Sequence, residues 1–520
     1  MVALWNPPVE LSSREQKILK RCAKRRVFVF LRELRHRIFD DEMQAKLRAA
    51  YDREDRVPPA QLALASLLQA ALGVPDHEVV ELTAMDLRWQ MVLDCLGTEE
   101  PIFAQGTLLY FRQRLIEHEL DRELFDKTVR LARETGGFSG THLRAAFDAS
   151  PLWGAGRVED TFNLIGRAAK QVVRTAAEQV EKPFAEVAKE AGIPVVAATS
   201  IKMGLDLDWD DPKAKKLGLE KLLAQVRALG DWLQRQLAEQ LGAPPLKEQW
   251  ELLEKLIAQD TEPDPDGEGR RITKGVAKDR RISISDADMR HGRKSKKQRF
   301  DGFKRHIAVD LDSPGLVCAV TVTPANAPER VAATELFADV ERLGAQVSHL
   351  YIDRGYLDDE AIEARREAGM QVSCKPFPLP NGAFFSKRDF TIDPEAATVR
   401  CPNDVVMPIE FGHAVHFPAA ICSACPKREL CTEAKTARGR SLTIHANEPF
   451  FLELRTRAKT PEGRADLRKR VAVEHALARI GIRQGDCARY RGTRKNLFDL
   501  RRHSAITNLA VIDGLARAAA

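Results

Sequence analysis

A chain of 520 residues is too long for one small core, and roughly two to four domains are expected. Hydrophobic residues at 44% and charged residues at 30% fit a soluble globular protein, and a net charge of +6 is modest enough that its distribution matters more than its total. The longest apolar stretch, AQLALASLLQAALGV from Ala60, carries two glutamines and falls short of the roughly 18 residues a membrane span needs.

No N-terminal segment has the charged, apolar, small-residue order of a secretory signal, so the cytoplasm is the expected location. Nine cysteines then argue for free thiols with a metal site among them rather than a disulfide framework. Residues 10 to 135 read as helical throughout: PPAQLALASLLQAALG and GTLLYFRQRLIEHELDRELFDKTVRLARE repeat apolar residues at helical spacing, with Pro, Gly and acidic clusters as punctuation. Residues 1–140 are therefore assigned to an all-α N-terminal domain. A short strand in LRAAFDAS follows, ending at Asp148.

Helical spacing then resumes for over a hundred residues. Leu222, Val226, Leu229, Leu233 and Leu237 form a stripe, GAPP breaks it, and LKEQWELLEKLIAQD supplies a second helix, together an antiparallel hairpin built for packing. The loop TEPDPDGEGR ends it. From about residue 300 short apolar runs take over. FKRHIAVDLD and GLVCAVTVTPA flank the turn signal SPG; the helix ERVAATELFADVERLG leads to the strand HLYI, and the helix DEAIEARREAG leads to QVSCKPFP. The order β-β-α-β-α-β after the first strand makes residues 141–520 α/β with a mixed sheet, interrupted by a helical insertion at 155–285 and a cysteine-containing insertion at 380–460.

Asp148 and Asp353 each close an apolar strand, where α/β sheets commonly bind ligands. Asp310, closing HIAVD, competes on the same ground, and pattern alone does not rank it below Asp148. Glu474 in LRKRVAVEHALARIGIR has Arg470, Val471, Leu477 and Ala478 as its helical neighbours, which sets it beside the apolar stripe. Converging carboxylates repel by about 4 kcal/mol per pair at about 4 Å and an effective dielectric near 20. Hard divalent cations remove that penalty, and a pair of them performs phosphoryl transfer. The plainer readings are a turn cap for each aspartate and a helical ion pair for Glu474 with Arg470.

The ordered set FDASPLWG, DGFKRHIAVD, LYIDRGY, RVAVEHALARIG and YRGTRKNLFDLRRHSAITNLA resembles bacterial insertion-sequence DDE transposases over about residues 55 to 510, most closely the group with an InsH-type helical N-terminal domain. The resemblance implies an RNase H-like catalytic core with a large helical insertion, in which Asp148, Asp353 and Glu474 bind Mg²⁺ (or Mn²⁺), while Asp310 falls on a non-catalytic position. It implies cleavage at the ends of a mobile element and strand transfer into target DNA, with terminal inverted repeats and target as partners. A homodimer is implied in the reacting complex, and a bacterial, nucleoid-associated location. Two departures stand out. Related transposases often place a Tyr three residues before the arginine of the Glu helix and a Lys seven after the glutamate, where this chain has Leu467 and Gly481, leaving Arg479 or Arg483 for the lysine's role. The helical insertion also follows Asp148, whereas better-known relatives carry theirs before the Glu helix. The competing readings are an RNase H-like nuclease that cuts without joining, and a catalytically inactive transposase-derived DNA-binding protein. No G-x₄-G-K-[ST] loop is present, so ATP is not expected.

Cys401, Cys422, Cys425 and Cys431, in CPND and CSACPKRELC, offer one C-x₂-C pair and two further thiols for a structural Zn²⁺, with His413 and His416 as spare ligands. Reduced thiols packing the insert are the plainer reading. Cys22, Cys95, Cys318, Cys374 and Cys487 stand singly and are assigned to the core. Positive charge concentrates in DMRHGRKSKKQRFDGFKR and in the tail from Arg455 to Arg502. In the tail, Arg470, Arg479, Arg483, Arg489, Arg491, Arg494 and Lys495 are candidates for DNA phosphates and Tyr490 for stacking on a base. The run KDRR at 278 is assigned to a solvated face.

Overall fold

The computed structural model describes residues 4–519 apart from 52–56, 137–139, 212, 266, 296, 314, 358 and 434–437. Pro314 of the SPG turn signal, Asp266 of the loop TEPDPDGEGR and Lys296 of the first basic run lie outside the described residues.

The central sheet is built from β1 (His142–Trp153), β2 (Arg290–Arg293), β3 (Arg299–Asp310), β4 (Val317–Pro324), β5 (Gln346–Ile352) and β6 (Gln371–Cys374). Its order is β4-β3-β1-β5-β6, with β2 pairing the start of β3. β3 runs antiparallel to β1 and β4, while β5 is parallel to β1 and β6 is parallel to β5. This is the mixed sheet of an RNase H-like core. β4 is buried at every position but its last, as a β-branched run covered on both faces should be. The helix Ala333–Arg342 buries Ala333, Leu336, Phe337 and Val340 at helical spacing and packs on β4 and β5.

Two strands are longer than the sequence pattern predicts. β1 continues past Asp148 because β3 pairs with it as far as Trp153, opposite Gly302. Asp148 therefore sits mid-strand, opposite Ile307, rather than near a strand end. β3 starts at Arg299, four residues before FKRHIAVD, because its first residues form a hairpin with β2.

Among the described residues, eight helices, from Ser13–Cys22 to Leu120–Glu134, form the N-terminal region. They share one apolar core with the sheet, through the final helix Thr493–Ala519, which packs on Leu120–Glu134, Pro59–Leu72 and β4. At that junction Asp121, wholly buried, holds Arg501 at 2.9 Å and Arg494 at 2.6 Å. The insertion after β1 has a core of its own, formed by the helices Thr161–Gln179, Ala214–Gln236 and Leu246–Asp260 around Val172, Leu222, Leu229, Leu233 and Leu253. Its return loop corrects one expectation. Arg280 and Arg281 are half-buried ties rather than a solvated face, Arg280 bonding the buried Asp260 and Arg281 the carbonyls of Ser283 and Ile284. The cysteine insertion is a third small core around Phe390, Val399, Phe417 and Ile444. Among the single cysteines, Cys22, Cys318 and Cys374 are buried and Cys95 half-buried, but Cys487 is exposed because it lies in the loop between the last two helices. No helix among the described residues is long and apolar enough to cross a membrane.

Candidate active site

Asp148 projects from β1 with its carboxylate accepting the Ala149 N–H at 2.9 Å. Burial pushes its carboxyl above the usual range, opposed by the Arg470 guanidinium, whose Nη1 lies 3.0 Å from Oδ2. Arg470 also pairs with Glu474, four residues on. Asp353 adds to the field that keeps Arg470 protonated. Asp148 from β1 and Glu474 from a late helix thus share one arginine, while Asp353, at the end of β5, acts on it only through its field. Glu474 belongs to the helix Val471–Gln484, whose buried residues are Val473, Ala476, Leu477, Ile480 and Gln484, and its own side chain remains 47% exposed.

What seats that helix is a residue the sequence pattern does not single out. Arg305, buried in β3, donates to Ser150 Oγ at 2.7 Å, to Gln484 Oε1 at 2.9 Å and to the Gly485 carbonyl at 3.0 Å, tying β1, β3 and the end of the Glu474 helix together. A Cβ on Gly481 would stand 3.3 Å from Arg305 Nη2. Gly481 is thus the surface against which Arg305 packs.

Asp353 follows β5 directly and caps the short turn Arg354–Tyr356, accepting the Arg354 N–H at 2.7 Å. The turn is pinned from beneath. The hydroxyl of buried Tyr356 meets His306 Nδ1 at 2.8 Å, and His306 Nε2 meets Thr323 Oγ1 at 2.9 Å. Complete burial pulls His306 down to about 3, so the ring is neutral, with one nitrogen donating and the other accepting.

A fourth carboxylate stands beside this turn. Glu329 opens the turn after β4, and a Cβ on Gly355 would lie 3.0 Å from its carboxyl carbon and 3.3 Å from its Cβ. That close approach is why residue 355 is glycine. Glu329 makes no hydrogen bond or ion pair among the described residues, and burial pushes its carboxyl up, with Lys304 opposing and Asp148 and Asp353 adding to the rise. In sequence it reads only as the first residue of a helix. Asp310 is a turn cap: it accepts the Ser313 hydroxyl at 2.7 Å and the Asp312 N–H at 3.0 Å, opposite Ala145 in the register.

The basic candidates divide. Arg494 is held by Asp121, Arg483 donates to Thr507 at 2.9 Å, and Arg489 donates to the Gly73 carbonyl. Arg479 is exposed and crowds Gly315. The Tyr490 ring packs edge-on against Phe498 at 6.0 Å, with the Arg502 guanidinium over it. Arg491 and Lys495 are exposed and without an ion pair among the described residues.

In the cysteine insert, Cys401, Cys422, Cys425 and Cys431 all line one cavity of 30 Å³. The Asn403 N–H donates to Cys401 Sγ at 3.4 Å, and burial together with the other three thiols raises Cys431. Among the described residues, no three His, Cys, Asp or Glu side chains are drawn to the spacing that holds an ion, at either place.

Residues 409–512 match the family model described as a transposase DDE domain, a segment that contains Glu474 and most of the final helix. No curated protein and no solved structure matches the chain.

Proposed function

From the premise that the chain belongs to the DDE transposases, we propose that it cuts DNA at the ends of a mobile element and joins the freed 3′ hydroxyl to target DNA, with Asp148, Asp353 and Glu474 holding divalent Mg²⁺ or Mn²⁺. The observation that supports this is the pairing of Asp148 and Glu474, distant in sequence, with one arginine, Arg470, whose field Asp353 also joins. The donor set fits the ion: it is all oxygen, and three carboxylates stand against the single Arg470 before Glu329 is counted. When bound, such ions neutralise the acids and activate water or a 3′ hydroxyl for in-line attack on a phosphodiester.

The chain's own residues do the rest. Arg470 keeps Asp148 and Glu474 together and has the reach to exchange them for a DNA phosphate. Arg305 fixes the Glu474 helix on the sheet, and the Tyr356–His306–Thr323 chain fixes the turn that presents Asp353. Glu329 is the fourth carboxylate of the centre. Replacing it by the isosteric Glu329→Gln is expected to weaken Mn²⁺ binding, read by calorimetry, by about 10–100-fold. Unchanged affinity alongside loss in Asp148→Asn would remove Glu329 from the set and leave the other three. The N-terminal helices, of InsH type, recognise the element ends, and two copies act together in the reacting complex. The test is an assay with matched terminal repeats and a target duplex. Joined products support the reading, cutting without joining marks a nuclease, and binding without cutting under any divalent ion marks an inactive descendant.

The cysteine insert holds a structural Zn²⁺ through Cys401, Cys422, Cys425 and Cys431. All four cysteines line one cavity, and a backbone N–H is already directed at Cys401 Sγ, a contact that stabilises a thiolate. Metal analysis of purified protein is expected to find one zinc per chain, lost in Cys425→Ser together with part of the insert's stability. Absence of zinc would leave four reduced thiols as packing.

A further inference from the structure

A second set of cations, apart from the tail and the basic hairpin, lies at the root of the helical insertion. The helix Thr161–Gln179 buries Ala169, Val172, Val173 and Ala176 on one side. On its other side Arg167, Lys170 and Arg174 line a cavity of 290 Å³, and Arg157 enters it from the segment after β1. The charges are only partly compensated. Arg167 pairs with Glu159 and Lys170 lies over the Phe184 ring at 5.5 Å. Arg157 and Arg174 are exposed and make no ion pair among the described residues. A groove so lined has no use for an apolar ligand and is matched to an extended polyanion.

Its position adds a second argument. Ile284 also lines the groove, and two residues later Asp286 accepts the Gly492 N–H at 3.2 Å, while Asp288 accepts the Thr493 N–H and hydroxyl at 2.8 Å. The root of the insertion is thereby bonded to the segment that carries the exposed Arg491 and Lys495. Two residues of chain span at most about 7 Å, so the groove lies close to that segment, with the carboxylates of Asp286 and Asp288 at the joint. Along the helix, Arg167 to Arg174 covers about 10 Å, the axial rise of about three successive phosphates on a DNA strand.

We propose that this groove binds the phosphodiester backbone of duplex DNA, so that the insertion after β1 is a clamp on the substrate. The inference rests on the transposase reading above. Backbone binding is independent of sequence, so the probe is a random-sequence duplex, and the readout is the slope of log affinity against log salt. The variant Arg157→Ala/Lys170→Ala/Arg174→Ala is expected to make that slope shallower by about 2–3, close to 0.9 for each phosphate released. The equal charge change Lys189→Ala/Lys213→Ala/Lys215→Ala, on exposed residues of the same insertion outside the groove, is expected to leave it unchanged. An unaltered slope in the groove variant, or an equal change in the control, would overturn the clamp while leaving the catalytic reading intact. Wild-type protein whose affinity for the duplex is insensitive to salt would overturn the transposase reading itself.

Discussion

Asp353→Asn, Asp148→Asn and Glu474→Gln are each expected to lower DNA cleavage and strand transfer by at least about 10³-fold, while affinity for the DNA ends stays within severalfold of wild type. On the proposed reading the carboxylates act as one unit, so the double variants should be little worse than the singles. Asp148→Asn carries a further expectation. Burial raises the folded-state carboxyl above its ordinary value. Above the ordinary carboxylate range, ionised Asp148 therefore opposes folding, and the asparagine removes that opposition. The variant should melt at or above the wild-type temperature at neutral pH, separating loss of chemistry from loss of fold. A retained cleavage rate in any of the three would remove that residue from the centre.

Asp121→Ala is expected to produce the largest loss of stability from a single exchange, about 3–5 kcal/mol in urea unfolding. Asp121 and Arg501 have side chains 0% and 1% exposed, so truncating the aspartate strands a buried guanidinium at the seam between the N-terminal helices and the sheet. Arg494, 34% exposed, finds water and adds little. Replacing both charges, in Asp121→Ala/Arg501→Met, should recover most of the loss, because removing a buried pair costs far less than breaking it. A single variant as stable as wild type would show that this seam does not hold the two regions together.

Much of the centre is legible in the sequence because the fold class is. Changes of period mark the strands and helices around Asp353 and Glu474, and the ordered motifs single out the acids proposed for the centre. What is not legible is whatever depends on register. Arg305 reaches Ser150, Gln484 and Gly485 only because β3 lies beside β1 and the last helices return to them. His306 meets Tyr356 across fifty residues of chain. Glu329 reaches the Asp353 turn only through the glycine that lets it approach. Asp148 and Asp310 look equivalent along the chain, and hydrogen bonding separates them, since Asp310 spends its oxygens on its own turn. The basic tail shows the same limit. A run of arginines does not say which will meet acids of its own chain, and Arg494 finds Asp121 at a separation of 373 residues. Arg491 and Lys495 differ from it only in where the fold leaves them.

The central claim is that Asp148, Asp353 and Glu474 exchange Arg470 for metal when the protein engages DNA. Anomalous diffraction from crystals of the DNA complex grown with Mn²⁺ tests it most directly. The expected result is cation density about 2.1 Å from oxygens of all three carboxylates, with Arg470 turned to a phosphate. Mn²⁺ bound elsewhere, or Arg470 still wedged between Asp148 and Glu474 with DNA in place, would contradict it.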